Sequence, residues 1–210
     1  MSHKLTIAVP RGALLQGTLD VLDRLGLDTA EIRTNDRKLL FADIGVITVR
    51  PSDVLTYVEA GAADLGVTGK DVLMEQSERD VYELLDLGYG RCRMVLATVA
   101  GERDPAAEAL RRLGVMRIAT KYPRIATEHF EATGRQAEIV EVKGSVELAP
   151  LTGLVEGIVD LTASGQTLAQ NDLVEREHIV DCTARLIANP VAHKLKAAAI
   201  DGVLERLRAT

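Results

Sequence analysis

The stretch Val155–Leu168 puts one carboxylate, Asp160, at the end of an apolar, strand-like run. A short loop follows, built from Thr162, Ala163, Ser164, Gly165, Gln166 and Thr167, and the chain then turns apolar and helical. Small residues let backbone N–H groups crowd together, and a helix start adds more, so a phosphate can be held there. The neighbouring acid can accept hydrogen bonds from sugar hydroxyls. Together these are the parts of a site for a phosphorylated sugar. The same residues also suit an ordinary strand-to-helix turn, with Asp160 a strand-end acid and Ser164 a helix cap.

Basic residues beside loops form a second set. Arg11 and Gly12 follow the first apolar run, Arg37 and Lys38 precede Leu39, and Arg50 precedes Pro51. Arg91 and Arg93 flank Cys92 after Gly88-Tyr89-Gly90. The guanidinium fork matches phosphate oxygens, so arginines at strand ends are candidates for holding a polyanion. Each alone also reads as a solvated surface charge. Glu147, after the turn Lys143-Gly144-Ser145, is placed to complement the dipole of a following helix.

These residues need strands that end at them and helices that start after them. Strand-like runs are expected at Leu5–Val9, Leu39–Phe41, Ile44–Val49, Ala63–Val67, Glu83–Leu87, Cys92–Val99, Arg117–Thr120, Glu138–Val142, Ile158–Leu161 and His178–Ile187. Helical patterns are expected at Ala13–Leu25, Pro51–Glu59, Lys70–Glu75, Pro105–Leu113, Ile125–Ala132, Glu147–Val155, Thr167–Asn171 and Val191–Leu207. Such alternation implies an α/β fold with mainly parallel sheets. No Pro/Gly/Ser-rich linker divides it, so any domain boundary is a compact crossover.

An internal echo suggests duplication. Gly61-Ala-Ala-Asp64-Leu65-Gly-Val-Thr68-Gly69 matches Gly157-Ile-Val-Asp160-Leu161-Thr-Ala-Ser164-Gly165 in register, 96 residues apart. A weaker echo pairs Ile7–Arg11 with Ile118–Pro123. Two similar lobes facing a cleft would produce this, as would chance recurrence of small-residue turns. The division expected is 1–90 plus 175–210 for one lobe and 91–174 for the other.

Composition bounds the function. The 210 residues are 47% hydrophobic but only 3% aromatic, with no Trp, so the core is built from Leu, Val, Ile and Ala. A net charge of −6 argues against a nucleic-acid partner, which would need a basic face. No apolar run approaches the ~18 residues of a membrane helix. The N-terminal segment carries a charge and then only a brief apolar run before Pro10, unlike a secretory signal, so a cytoplasmic protein is expected. Cys92 and Cys182 are far apart in sequence and form no CxxC, and His3, His129, His178 and His193 are scattered. Two reduced thiols and no metal-ligating set are expected. A P-loop, a GxGxxG dinucleotide loop and a GxSxG elbow are all missing, which argues against NTP hydrolysis, dinucleotide binding and covalent catalysis.

The segment Glu147–Leu168 closely resembles the signature of the ATP phosphoribosyltransferases, the first enzymes of histidine biosynthesis. The resemblance runs nearly end to end, through Ala8-Val-Pro-Arg-Gly12, Val49-Arg-Pro-Ser-Asp53, Ala63–Leu73, Arg117–Pro123, Lys143–Glu147 and Asn189-Pro190. It implies two α/β lobes like those of type II periplasmic binding proteins, and the short form of the enzyme. Adenine N1 of ATP would attack C1 of phosphoribosyl pyrophosphate, with Mg²⁺-bound pyrophosphate leaving. The implied partner is a separate regulatory subunit related to histidyl-tRNA synthetase, with a homodimer of this chain inside a hetero-oligomer.

By the same resemblance, Asp160 binds the ribose hydroxyls, Thr162–Thr167 bind the 5-phosphate, and Glu147 lies near the reacting sugar. Arg11, Gly12, Arg37, Arg50, Thr68, Gly69 and Arg91 or Arg93 face ATP or pyrophosphate, with Arg11, Arg50, Glu147 and Asp160 the catalytic set. Two departures stand out. The family's first loop often reads Lys-Gly-Arg, where this chain has Arg11-Gly12-Ala13. Many other phosphoribosyltransferases carry two adjacent acids where this chain has Asp160-Leu161. From another class, a non-catalytic anion-binding module of the same fold would bind without turnover.

Overall fold

The computed structural model describes residues 5–209; His3 lies outside them. The strands run in the order β1 (Ile7–Pro10), β2 (Leu40–Phe41), β3 (Val46–Val49), β4 (Leu65–Gly69), β5 (Tyr82–Asp86) and β6 (Cys92–Val99). They continue with β7 (Met116–Thr120), β8 (Ala137–Glu141), β9 (Gly157–Thr162), β10 (Leu173–Cys182) and β11 (Ala184–Ala188). Two compact units result, one extending to Gly90 and resuming at Thr183, the other spanning Arg91–Cys182.

The first unit is a six-stranded sheet in the order β2-β3-β1-β4-β11-β5. The run Ile7-Ala-Val-Pro10 is buried at every position, as a strand covered on both faces must be. On one side Val9, Leu19, Leu22, Leu65 and Ile200 pack together; on the other, Ala8, Val54, Leu55, Val58 and Ile187 do. The second unit is a five-stranded sheet in the order β10-β6-β9-β7-β8. Its core includes Val95, Ala97, Ala119, Val146, Ile158 and Leu168.

Local signals set the helix bounds. Asp104 precedes helix Pro105–Leu113 and accepts the N–H groups of Ala106 and Ala107 at 3.0 and 3.3 Å, while Pro105 has no N–H to satisfy. Gly114 ends that helix at φ 77°, a left-handed position cheap only for glycine.

Four expectations are corrected. The run His178–Ile187 is not one strand: Leu173–Cys182 pairs with β6 in the second sheet, and Ala184–Ala188 pairs with β4 and β5 in the first. Residues 175–182 therefore belong with the second unit, because their hydrogen-bond ladder is there. The terminal helix is two, Pro190–Leu195 and Ala197–Arg208, broken at Lys196, whose ammonium reaches Asp64 at 2.7 Å. The helix expected over Glu147–Val155 is only Leu148–Leu151, stopped by Gly153 at φ 73°. A short helix at Ala30–Thr34 has no counterpart among the expected elements.

Candidate active site

In the first unit β3, β1 and β4 run parallel, with Ile7 level with both Val46 and Leu65. Their C-terminal ends therefore share one sheet edge, the usual ligand edge of such sheets. Arg11 and Gly12 leave β1 there, Arg50 leaves β3, and Thr68-Gly69 ends β4. The Arg11 N–H donates to the Val49 carbonyl at 2.9 Å, which ties the two arginine-bearing loops together. The Arg11 guanidinium donates to the Asp36 carbonyl, which brings the exposed loop carrying Arg37 to the same edge. A hollow of about 420 Å³ opens here, lined by Arg11, Leu39, Leu40, Ile47, Arg50, Asp53 and Tyr57 among others. Arg50 is exposed and Arg11 half-buried. The Thr68 hydroxyl is fully buried without a hydrogen-bond partner, an expensive arrangement.

In the second unit β7 and β9 run parallel, with Thr120 level with Val159, so the next residues, Lys121 and Asp160, meet. The Lys121 ammonium lies 3.7 Å from Asp160 Oδ2. Asp160 is 8% exposed, and its Oδ1 accepts the Leu161 N–H at 2.8 Å. Burial raises its pKa above the usual aspartate value, against the opposing pull of Lys121; the nearby charge of Glu147 adds to the rise. Glu147 is half-buried at the start of helix Leu148–Leu151.

Beyond Asp160 the loop is shaped by its own hydroxyls. Thr162 Oγ1 accepts the Gly165 N–H at 2.9 Å, and Ser164 Oγ accepts the Gln166 N–H at 3.3 Å. Gly165 sits at φ 79° directly before helix Gln166–Gln170. Ala163, Ser164, Gln166 and Thr167 are exposed. The reading of Ser164 as a cap and the reading of the loop as a cradle are thus compatible: the hydroxyls hold the turn, and the turn presents the loop to solvent.

Arg93 has a different setting from the other arginines. Its guanidinium pairs with Glu175 at 2.7 Å and donates to the Ala163 carbonyl at 3.1 Å. It props the loop from below on the second unit. Arg91 is exposed at the first residue of that unit. Lys121, beside Asp160, is not among the residues singled out from the sequence. Its signal was present in the weaker echo, where Lys121 follows β7 as Arg11 follows β1.

The stronger echo does not survive as structural equivalence. Asp160 lies near the C-terminal end of β9, but Asp64 lies just before β4, at the strand's opposite end. There both of its oxygens meet Lys196, at 2.7 and 2.8 Å, and Oδ2 also accepts the Thr6 N–H at 2.8 Å. The matching letters sit at different heights on their strands, so Asp64 is a buried structural partner and Asp160 a strand-end acid.

The chain thus defines a protein of two α/β units, with basic loops on the first and an acid-led loop on the second. The fold is shared with the Bordetella pertussis BvgS periplasmic VFT2 domain, at TM-score 0.59 over 98% of this chain and 92% of that one, with 15% identity. A family model described as ATP phosphoribosyltransferase matches residues 50–209. The ATP phosphoribosyltransferase of Rubrobacter xylanophilus is 52% identical over 95% of this chain and 93% of that protein. The ATP phosphoribosyl transferase (HisG:HisZ) complex from Thermotoga maritima contains a chain 34% identical, covering 98% of this chain and 97% of that one, at TM-score 0.80. The chain belongs to the ATP phosphoribosyltransferase family, and its activity is the first step of histidine biosynthesis.

Among the described residues no helix is long and apolar enough to cross a membrane. Nor, among them, do three or more His, Cys, Asp or Glu side chains gather to hold a metal ion.

Proposed function

We propose that the second unit holds phosphoribosyl pyrophosphate and that the arginine edge of the first unit serves ATP and the leaving pyrophosphate. The observation that carries this is Asp160: an acid almost out of solvent, beside Lys121, one turn ahead of an exposed loop whose backbone is fixed by Thr162 and Ser164. Asp160 accepts hydrogen bonds from the ribose hydroxyls, and residues 162–167 supply N–H and hydroxyl donors to the 5-phosphate. Lys121 serves two ends: it keeps Asp160 ionised despite burial, and it adds positive charge beside the phosphates.

Adenine N1 needs no base, because its lone pair is already a nucleophile. The reaction instead needs alignment, and stabilisation of charge as the C1–oxygen bond breaks. Arg11 and Arg50 take that charge, with Arg37 as a further contact. Thr68 and Gly69 close the same edge. Glu147 faces the sugar, where positive charge develops. Arg93 acts through the loop it braces, and Arg91 meets phosphate directly.

Magnesium fits this donor set as an ion carried by the substrate, since it favours phosphate oxygens, waters and one or two carboxylates. When bound it neutralises charge on the departing pyrophosphate. The regulatory partner is a separate subunit related to histidyl-tRNA synthetase, a reading supported by the near-complete match in length to the chain from the HisG:HisZ complex. This chain forms a homodimer within that assembly.

Ligand-induced shifts in thermal unfolding test the assignment unit by unit. Phosphoribosyl pyrophosphate should raise Tm in the wild type and in Arg50→Ala, but not in Lys121→Met. ATP should show the reverse pattern. A variant set in which both ligands respond to the same unit refutes the division of labour.

A further inference from the structure

The protein has two cysteines, 90 residues apart, and the ladder between β10 and β6 sets them directly opposite each other: Cys182 pairs with Cys92. Opposed residues of an antiparallel pair have Cα atoms roughly 4.5–5.5 Å apart and side chains on one face. That lies within the roughly 4.4–6.8 Å that a disulfide spans. Both residues are thiols in this structure.

Their position is as telling as their pairing. Cys182 is the last residue of the second unit and Cys92 the second, so both chain crossings between the units begin beside this pair. On the first unit the crossings are already tied: the Ala184 N–H donates to the Tyr89 carbonyl at 2.9 Å. Tyr89 is anchored in turn through its hydroxyl, 2.6 Å from Thr18 Oγ1. Cys92 is half-buried and Cys182 is 1% exposed, so a reagent meets Cys92 first.

We propose that Cys92 and Cys182 form a reversible dithiol–disulfide site, closed by a small-molecule disulfide such as oxidised glutathione, that fastens the two crossing segments together. The Cys92 thiolate attacks one sulfur of oxidised glutathione, forming a mixed disulfide and releasing one glutathione thiolate. Cys182 then loses its proton to solvent and attacks the Cys92 sulfur, releasing the second glutathione. Two protein thiols are oxidised and one small disulfide is reduced to two thiols. The proposal rests on strand register and is independent of how the substrates are assigned to the units.

Incubation of the folded protein with oxidised glutathione should give an intact mass lower by two hydrogens and a peptide linking Cys92 to Cys182, both reversed by dithiothreitol. Cys182→Ser should stop at a stable glutathione adduct on Cys92. Cys92→Ser, which leaves the buried thiol in place, should resist modification while folded. Closing so long a loop should raise the wild-type Tm by roughly 5 °C or more. Four results overturn the proposal: an adduct that persists in the wild type, a disulfide between two chains, a folded protein untouched where the unfolded chain oxidises, or a closed disulfide with no Tm shift.

Discussion

Replacing Asp160 with Asn separates a functional acid from a structural one. The amide is nearly the same shape, and its oxygen can still accept the Leu161 N–H now held at 2.8 Å. What disappears is the charge. If the carboxylate accepts from two ribose hydroxyls, two charge-assisted hydrogen bonds are weakened, each worth about 1.5–3 kcal/mol. At about 1.4 kcal/mol per tenfold, kcat/KM for phosphoribosyl pyrophosphate should fall by roughly 10²–10⁴. Stability should move the other way. Burial holds the folded pKa of Asp160 above 3.8, so at neutral pH the ionised side chain opposes folding. The Asn variant should therefore melt at or above the wild-type temperature near pH 7. As pH falls through the raised folded pKa, the wild type takes up its proton in the folded state and the gap should close. The assays are initial rates of pyrophosphate release with phosphoribosyl pyrophosphate varied at saturating ATP, and melting curves at neutral and acid pH. Rates within a few-fold of wild type would refute the ribose role. A large drop in Tm would show that the acid is structural.

The contrasting pair Asp64–Lys196 should behave oppositely: Lys196→Met strands a carboxylate only 12% exposed and should cost about 2–4 kcal/mol of stability, with kcat little changed in the protein that remains folded. Arg11→Ala and Arg50→Ala should each lower kcat/KM by roughly 10²-fold or more through lost charge stabilisation, with melting near wild type; near-normal rates in both would remove the arginine edge from catalysis. Gly165→Ala imposes a left-handed backbone on a residue with a side chain and should cost about 1–2 kcal/mol, with weakened phosphoribosyl pyrophosphate binding read by titration. Gly66→Ala would place a methyl 2.7 Å from Val58 and 2.8 Å from Val54, both stiff at χ1, and should cost about 1–3 kcal/mol in chemical denaturation while leaving KM unchanged.

Much of the fold was legible because its signals are local. The runs Ile7–Pro10, Leu65–Gly69 and Gly157–Thr162 are apolar and short, and the residues after them turn the chain, so strand, loop and helix follow without tertiary help. Asp104 with Pro105, and Gly114, fixed a helix at both ends for the same reason. The turn from Asp160 to Thr167 was readable as strand end, loop and helix start because its residue types and their order specify that geometry.

Pairing is what composition and spacing leave open. Nothing local in His178–Ile187 shows that the chain changes sheets at Cys182, since both halves are equally strand-like and only the ladder partners differ. Register decided three further points. It put Lys121 beside Asp160, because β7 and β9 run parallel with Thr120 level with Val159. It set the two matching Gly-x-x-Asp-Leu segments at opposite ends of their strands, which gave Asp64 to Lys196 and left Asp160 near the C-terminal end of β9 beside Lys121. And it brought Cys92 and Cys182 face to face across 90 residues of sequence. Backbone propensity acts over a few residues and so can be read along the chain. Which strands share hydrogen bonds depends on how the apolar faces of the whole molecule are buried, and that exists only once the chain has folded.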